Sequence, residues 1–82
     1  MNDVQFLETI VKGIVLYPDD VRVHHTVDEM GTLLTLDVNP MDMGRIIGKE
    51  GNTAKAIRTI LRTHGAIDNV RLSLKITDPR NG

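Results

Sequence analysis

The stretch Gly44-Arg45-Ile46-Ile47-Gly48-Lys49-Glu50-Gly51-Asn52-Thr53-Ala54-Lys55-Ala56-Ile57-Arg58 places a short glycine-bounded loop between two runs with helical apolar spacing. Ahead of the loop Met43, Ile46 and Ile47 fall at i, i+3 and i+4, which predicts a short helix from Met43 to Ile47 with Asp42 as its N-cap. Behind it Ala54, Ile57, Ile60 and Leu61 line one face of a second helix. That helix is expected to run to about His64, with Asn52 or Thr53 as its cap and Gly65 as its stop. Glycine at both ends of a loop lets a ligand approach the backbone, because no Cβ stands in the way. The loop also faces the amino end of the second helix, where unpaired N–H groups and the helix dipole favour an anion. A phosphate fits there. Lys49 adds a point charge at the tip, and Arg45, Lys55 and Arg58 extend the attraction along a phosphodiester chain. Ile47, Ala54 and Ile57, with the final strand, are expected to floor an adjoining groove for bases.

Upstream of this stretch Val4, Leu7, Val11 and Ile14 recur at helical spacing, widened by Phe6, Ile10 and Val15, and predict an amphipathic helix from Asn2 to Tyr17. Asn2 with Gln5 makes a capping pair, and Pro18-Asp19-Asp20 ends the segment in a turn. Val21 to Val27 alternates as a half-buried strand, with His25 in line with Val21, Val23 and Val27 and so expected in the core. Asp28-Glu29-Met30-Gly31 reads as a hairpin turn into a return strand, Thr32 to Val38, with Leu34, Leu36 and Val38 inward. Asn39-Pro40 breaks that strand. Downstream, Val70 to Thr77 alternates with Val70, Leu72, Leu74 and Ile76 inward, and residues 79–82 read as a flexible tail. The order α-β-β-α-α-β predicts an α+β fold, one domain over residues 1–78, in which helices cover one face of a three-stranded sheet.

Composition narrows the classes. The 82 residues carry a net charge of −1, which argues against a polyanion partner until its distribution is considered. Residues 1–44 hold eight acidic and two basic residues, whereas residues 45–82 hold three acidic and eight basic. The positive field is thus concentrated on whatever surface the second half builds. With no cysteine, neither a disulfide framework nor a thiolate-based metal site is available. No apolar run approaches a membrane span and no basic-apolar leader opens the chain, so a cytoplasmic protein is expected.

With these elements in place, the glycine-loop segment resembles the signature of KH domains, in which two apolar residues precede a G-x-x-G loop and a periodic helix follows. The order of elements is similar to the bacterial, type II arrangement. The whole chain resembles the KhpA family, small bacterial proteins that consist of little else than one KH domain. That resemblance implies binding of single-stranded RNA, with Gly48 and Gly51 as the loop glycines and Lys49 as the basic loop residue. In KH domains such a loop clamps four nucleotides. It further implies a homodimer or a complex with a larger KH-containing protein, KhpB, acting in post-transcriptional regulation or as an RNA chaperone. Glu50 departs from the basic or neutral residue common there and should weaken phosphate attraction. The candidate RNA-binding set is therefore Arg45, Ile47, Gly48, Lys49, Glu50, Gly51, Asn52, Thr53, Lys55, Ile57 and Arg58.

Other functions fit less well. A nucleotide-binding P-loop needs G-x-x-x-x-G-K-[ST]; Gly44 to Gly48-Lys49 is one residue short and Glu50 replaces the magnesium-binding hydroxyl. His24 and His25, adjacent on a strand, point to opposite faces and cannot share a metal or act as a pair. His64 is explained by packing and by the helix dipole. No enzymatic activity, cofactor, metal or small-molecule substrate is expected. With Phe6 and Tyr17 as the only aromatics, both placed in the first helix, base recognition must use aliphatic contacts and hydrogen bonds. The competing function is a protein-interaction module that docks through Ala56, Thr59, Ile60 and Thr63 and binds little RNA.

Overall fold

The computed structural model describes residues 2–77; the expected tail, 79–82, lies outside the described residues. Helix α1, Asp3–Lys12, starts from a complete capping box: the Asn2 side chain accepts from the Gln5 backbone N–H at 2.8 Å, and Gln5 Oε1 accepts from the Asn2 N–H at 3.1 Å. It ends earlier than its apolar stripe suggests. Gly13 caps it, Ile14 and Val15 still donate to the Val11 carbonyl at 3.0 and 3.2 Å, and the two amides after them go to a carboxylate elsewhere in the chain. After a 3-10 turn at Pro18–Asp20 come β1, Arg22–Asp28, and β2, Gly31–Asp37, antiparallel and closed by the two-residue turn Glu29-Met30. The Asp28 carboxylate accepts from the Met30 N–H at 2.7 Å and holds that turn.

A 3-10 turn at Pro40–Asp42 leads into α2, Met43–Ile47, and the glycine loop leads into α3, Asn52–Ile67. The last strand, β3, Leu72–Ile76, pairs parallel to β2, giving the order β1-β2-β3. A parallel pair needs a crossover of a dozen or more residues, and here α2, the loop and α3 supply it. The α+β, α-β-β-α-α-β architecture expected from the sequence is the one observed. α1 packs on β1 and α3, and α3 packs on β3 and α2. One core lies between helices and sheet, built from Leu7, Val11, Leu34, Leu36, Met43, Ile46, Ile57 and Leu61. Each such side chain stabilises the fold by about 1.5–3 kcal/mol relative to exposure.

Three expectations are corrected. His25 is exposed and not in the core: β1 is an edge strand, its second half borders an open cleft with Asn2, Asp3 and Val4 at the start of α1, and Val27 on the same face is 69 % exposed. Gly65 does not stop α3. It is buried in the last turn of the helix, where a Cβ would collide with the Val70 carbonyl and crowd Leu72, so it is the residue that lets α3 lie against the start of β3. The helix instead ends at Asp68, followed by Asn69 at φ 57°, a residue type that tolerates the left-handed region. Ile60, expected on the inner face, is 43 % exposed.

Candidate nucleic-acid interface

Gly48 leaves α2 with φ 75° and ψ 177°, and Gly51 enters α3 with φ 76° and ψ 12°. Between them Glu50 also takes the left-handed region, at φ 57° and ψ 25°. Gly48 is irreplaceable on two counts, since a Cβ there would overlap the Thr53 side chain as well as strain the backbone. Gly51 has open space around it and is favoured by its left-handed conformation alone.

Neither Asn52 nor Thr53 caps α3, contrary to expectation. The N-cap position belongs to Gly51, no side chain bonds the helix's first amides, and Thr53 is turned against Gly48. The contrast with α1 is informative. One helix is sealed by a reciprocal pair of side chains; the other, facing the glycine loop, has no side-chain cap, and its first amide, Asn52 N–H, turns back to the Lys49 carbonyl.

Asp42 likewise caps nothing, although it occupies the N-cap position of α2. Its carboxylate is fully buried and accepts from the backbone N–H groups of Leu16 at 2.9 Å and Tyr17 at 3.0 Å. That bond pair fixes the linker that follows α1. The Arg45 guanidinium lies 4.0 Å from Asp42 Oδ1 and is half exposed.

The remaining candidates divide by burial. Lys49, Glu50, Asn52, Lys55 and Arg58 are exposed around the loop and along α3, and Ile47 is partly exposed beside Gly48. Ile57, at 2 % exposure, belongs to the core and supports the groove from below without offering surface of its own. A groove of about 650 Å³ continues along α3 and β3, floored by Leu61, Leu72 and Leu74 and lined by Arg58, Arg62 and Arg71. No carboxylate of the described residues lies within ion-pair distance of these three arginines. Arg62 and Arg71 were not in the candidate set. Their signal was present, since Arg62 follows Lys55 and Arg58 on one helical face, but Arg71 joins them only through the close packing at Gly65. His64 has a structural post: its ring stacks on Phe6 with centroids 4.1 Å apart, and Nε2 lies 3.2 Å from Asp3 Oδ1, tying α3 to α1.

A mixed three-stranded sheet, a G-x-x-G loop inside its crossover, an uncapped helix end and a basic apolar-floored groove together define a KH domain of the type II arrangement. Comparison with known proteins makes this particular. The family described as KhpA/KhpB, KH domain, matches residues 4–76. The chain is 44 % identical over 72 residues to the RNA-binding protein KhpA of Clostridium acetobutylicum, covering 88 % of this chain and 96 % of that one. It is 40 % identical over 77 residues to the protein of the same name from Borreliella burgdorferi, covering 94 % of each. It is 41 % identical over 76 residues to that of Chlamydia pneumoniae, covering 93 % of this chain and 97 % of that one. The chain belongs to the KhpA/KhpB KH-domain family. These relatives carry the names of binding proteins and not of enzymes, in line with the expectation that the chain is not an enzyme.

Proposed function

We propose that residues 1–78 act as one KH domain that clamps single-stranded RNA. Phosphates sit at the Gly48–Gly51 backbone and Lys49, and bases lie along Ile47 and the α3–β3 groove under Arg58, Arg62 and Arg71. The observation that carries this is the start of α3, without a side-chain cap, behind a loop with a positive-φ glycine at each end. The names of the relatives support the same ligand. Titration of labelled single-stranded RNA at 50 and 150 mM salt tests it. With three or four phosphates contacted, affinity should fall about tenfold over that range. The double variant Lys49→Asp, Glu50→Asp should bind no RNA while melting like the wild type; equal binding by both proteins refutes the loop assignment.

One such module offers few contacts, and pairing two raises the effective concentration of the second site. The protein acts as a dimer, with itself or with a larger KH-containing protein of the KhpB kind, in the cytoplasm and in post-transcriptional regulation or RNA chaperoning. Support comes from α3, where Ala56, Thr59, Ile60 and Thr63 are all exposed. The Thr59 and Thr63 hydroxyls are spent on the carbonyls of Lys55 and Thr59, each at 3.0 Å, so the face turns methyl groups outward around Ile60. Sedimentation of wild type and Ile60→Asp decides the homodimer: dimer against monomer supports it, and monomer for both refutes it.

A further inference from the structure

The α2 face that leads into the glycine loop continues past the start of the helix. Three residues before Ile47 it carries Gly44, with no heavy atom near the place a Cβ would take; three before that comes Met41, 77 % exposed. The linker after α1 is laced to this end of α2. Buried Asp42 holds the Leu16 and Tyr17 amides, and Asn39 Nδ2 donates to Asp20 Oδ2 at 2.8 Å. Leu16 and Tyr17 nevertheless keep their side chains in water, 64 % and 46 % exposed. Burying a carboxylate is costly. Using one to immobilise a linker whose apolar side chains stay exposed gains little for the core, but it preorganises a contact surface.

The chain has one tyrosine, one phenylalanine and no tryptophan. With Phe6 stacked on His64, Tyr17 is the ring available at this surface. The half-exposed Arg45 guanidinium, 4.0 Å from Asp42 Oδ1, places a cation at the same end of α2. Asp19 and Asp20 follow Tyr17 and repel a second phosphate, which limits the surface to about one base.

We propose that Tyr17, with Leu16 before it and exposed Met41 next to the Asp42 that holds both amides, is a stacking subsite for the nucleotide that leaves the glycine-loop clamp past the start of α2, with Arg45 facing its phosphate. This rests on the RNA-binding reading above and extends it. An aromatic face accepts any base, so the subsite adds length and affinity without sequence preference.

The test uses alternating cytidine-adenosine RNA of four and eight nucleotides with wild type, Tyr17→Ala, Tyr17→Phe and Met41→Ala, alongside thermal melts. Tyr17→Ala should weaken the octamer about tenfold and the tetramer less than twofold, with Tyr17→Phe close to wild type. Met41→Ala should show a smaller octamer-only loss, and it keeps the test open if Tyr17→Ala folds poorly. The octamer should quench the emission of the single tyrosine and the tetramer should not. Wild-type octamer affinity in both alanine variants overturns the subsite, as does an equal loss at both lengths. If the wild type binds neither RNA, the clamp reading itself fails and the subsite with it.

Discussion

Glu50 sits at φ 57°, where a residue with a Cβ costs about 1–2 kcal/mol relative to its right-handed alternative. Replacing it with glycine removes that strain but adds about 0.5–1 kcal/mol of backbone entropy to the unfolded chain. The balance for Glu50→Gly is a stabilisation of about 0.5–1 kcal/mol, or about 2–8 °C in Tm for a domain of this size. The same change removes the acidic group from the loop tip. A carboxylate about 7 Å from a seated phosphate repels it by about 0.6 kcal/mol in water, so RNA affinity should rise about threefold. Glu50→Gln separates the two effects, because it keeps the strained conformation and loses only the charge. It should bind RNA as tightly as Glu50→Gly and melt like the wild type. Calorimetric melts and the RNA titration read both quantities. If Glu50→Gly melts no higher than Glu50→Gln, the left-handed strain is not being relieved; if neither variant binds more tightly, Glu50 does not face the phosphate.

Gly65→Ala should destabilise by about 2–4 kcal/mol through overpacking against Val70 and Leu72, whereas helix propensity alone predicts about 1 kcal/mol of stabilisation, so the sign of the change in urea unfolding is decisive. Gly48→Ala should cost at least about 2 kcal/mol, and Thr53→Ala in the same chain should recover only the steric share, leaving the backbone strain visible in the melt. Asp42→Ala frees two backbone donors and should cost about 2–4 kcal/mol, with faster amide hydrogen exchange at Leu16 and Tyr17 than elsewhere; unchanged exchange at those two amides would refute the clamp.

What the sequence made legible is what local chemistry decides. The α1 cap needs only Asn2 and Gln5, the hairpin needs only alternation around a turn, and the loop announces itself by Gly48 and Gly51 between periodic runs. What escaped depends on distant partners. Ile14 continues the α1 stripe, yet the helix is capped at Gly13, and Asp42, far along the chain, holds the linker beyond it through the Leu16 and Tyr17 amides. Gly65 has the look of a helix stop until β3 is laid against it, and His25 has the look of a core residue until β1 proves to be an edge strand with an open cleft beside the start of α1. The parallel sense of β3 is equally non-local. In the candidate site the loop residues were legible, while Arg71 and the linker surface at Tyr17 were not, since neither lies at a helical spacing from the loop.

The crossover between β2 and β3 has a consequence for how binding is detected. Because the strands run parallel, the loop is threaded through the middle of the crossover that joins them, and it holds its binding conformation only when that crossover is folded. A ligand held at Gly48–Gly51 therefore draws on the free energy of the whole domain: at a hundred times its dissociation constant it adds about 2.7 kcal/mol to global stability. For a protein with so little intrinsic colour, the melting temperature becomes a direct gauge of how full the loop is.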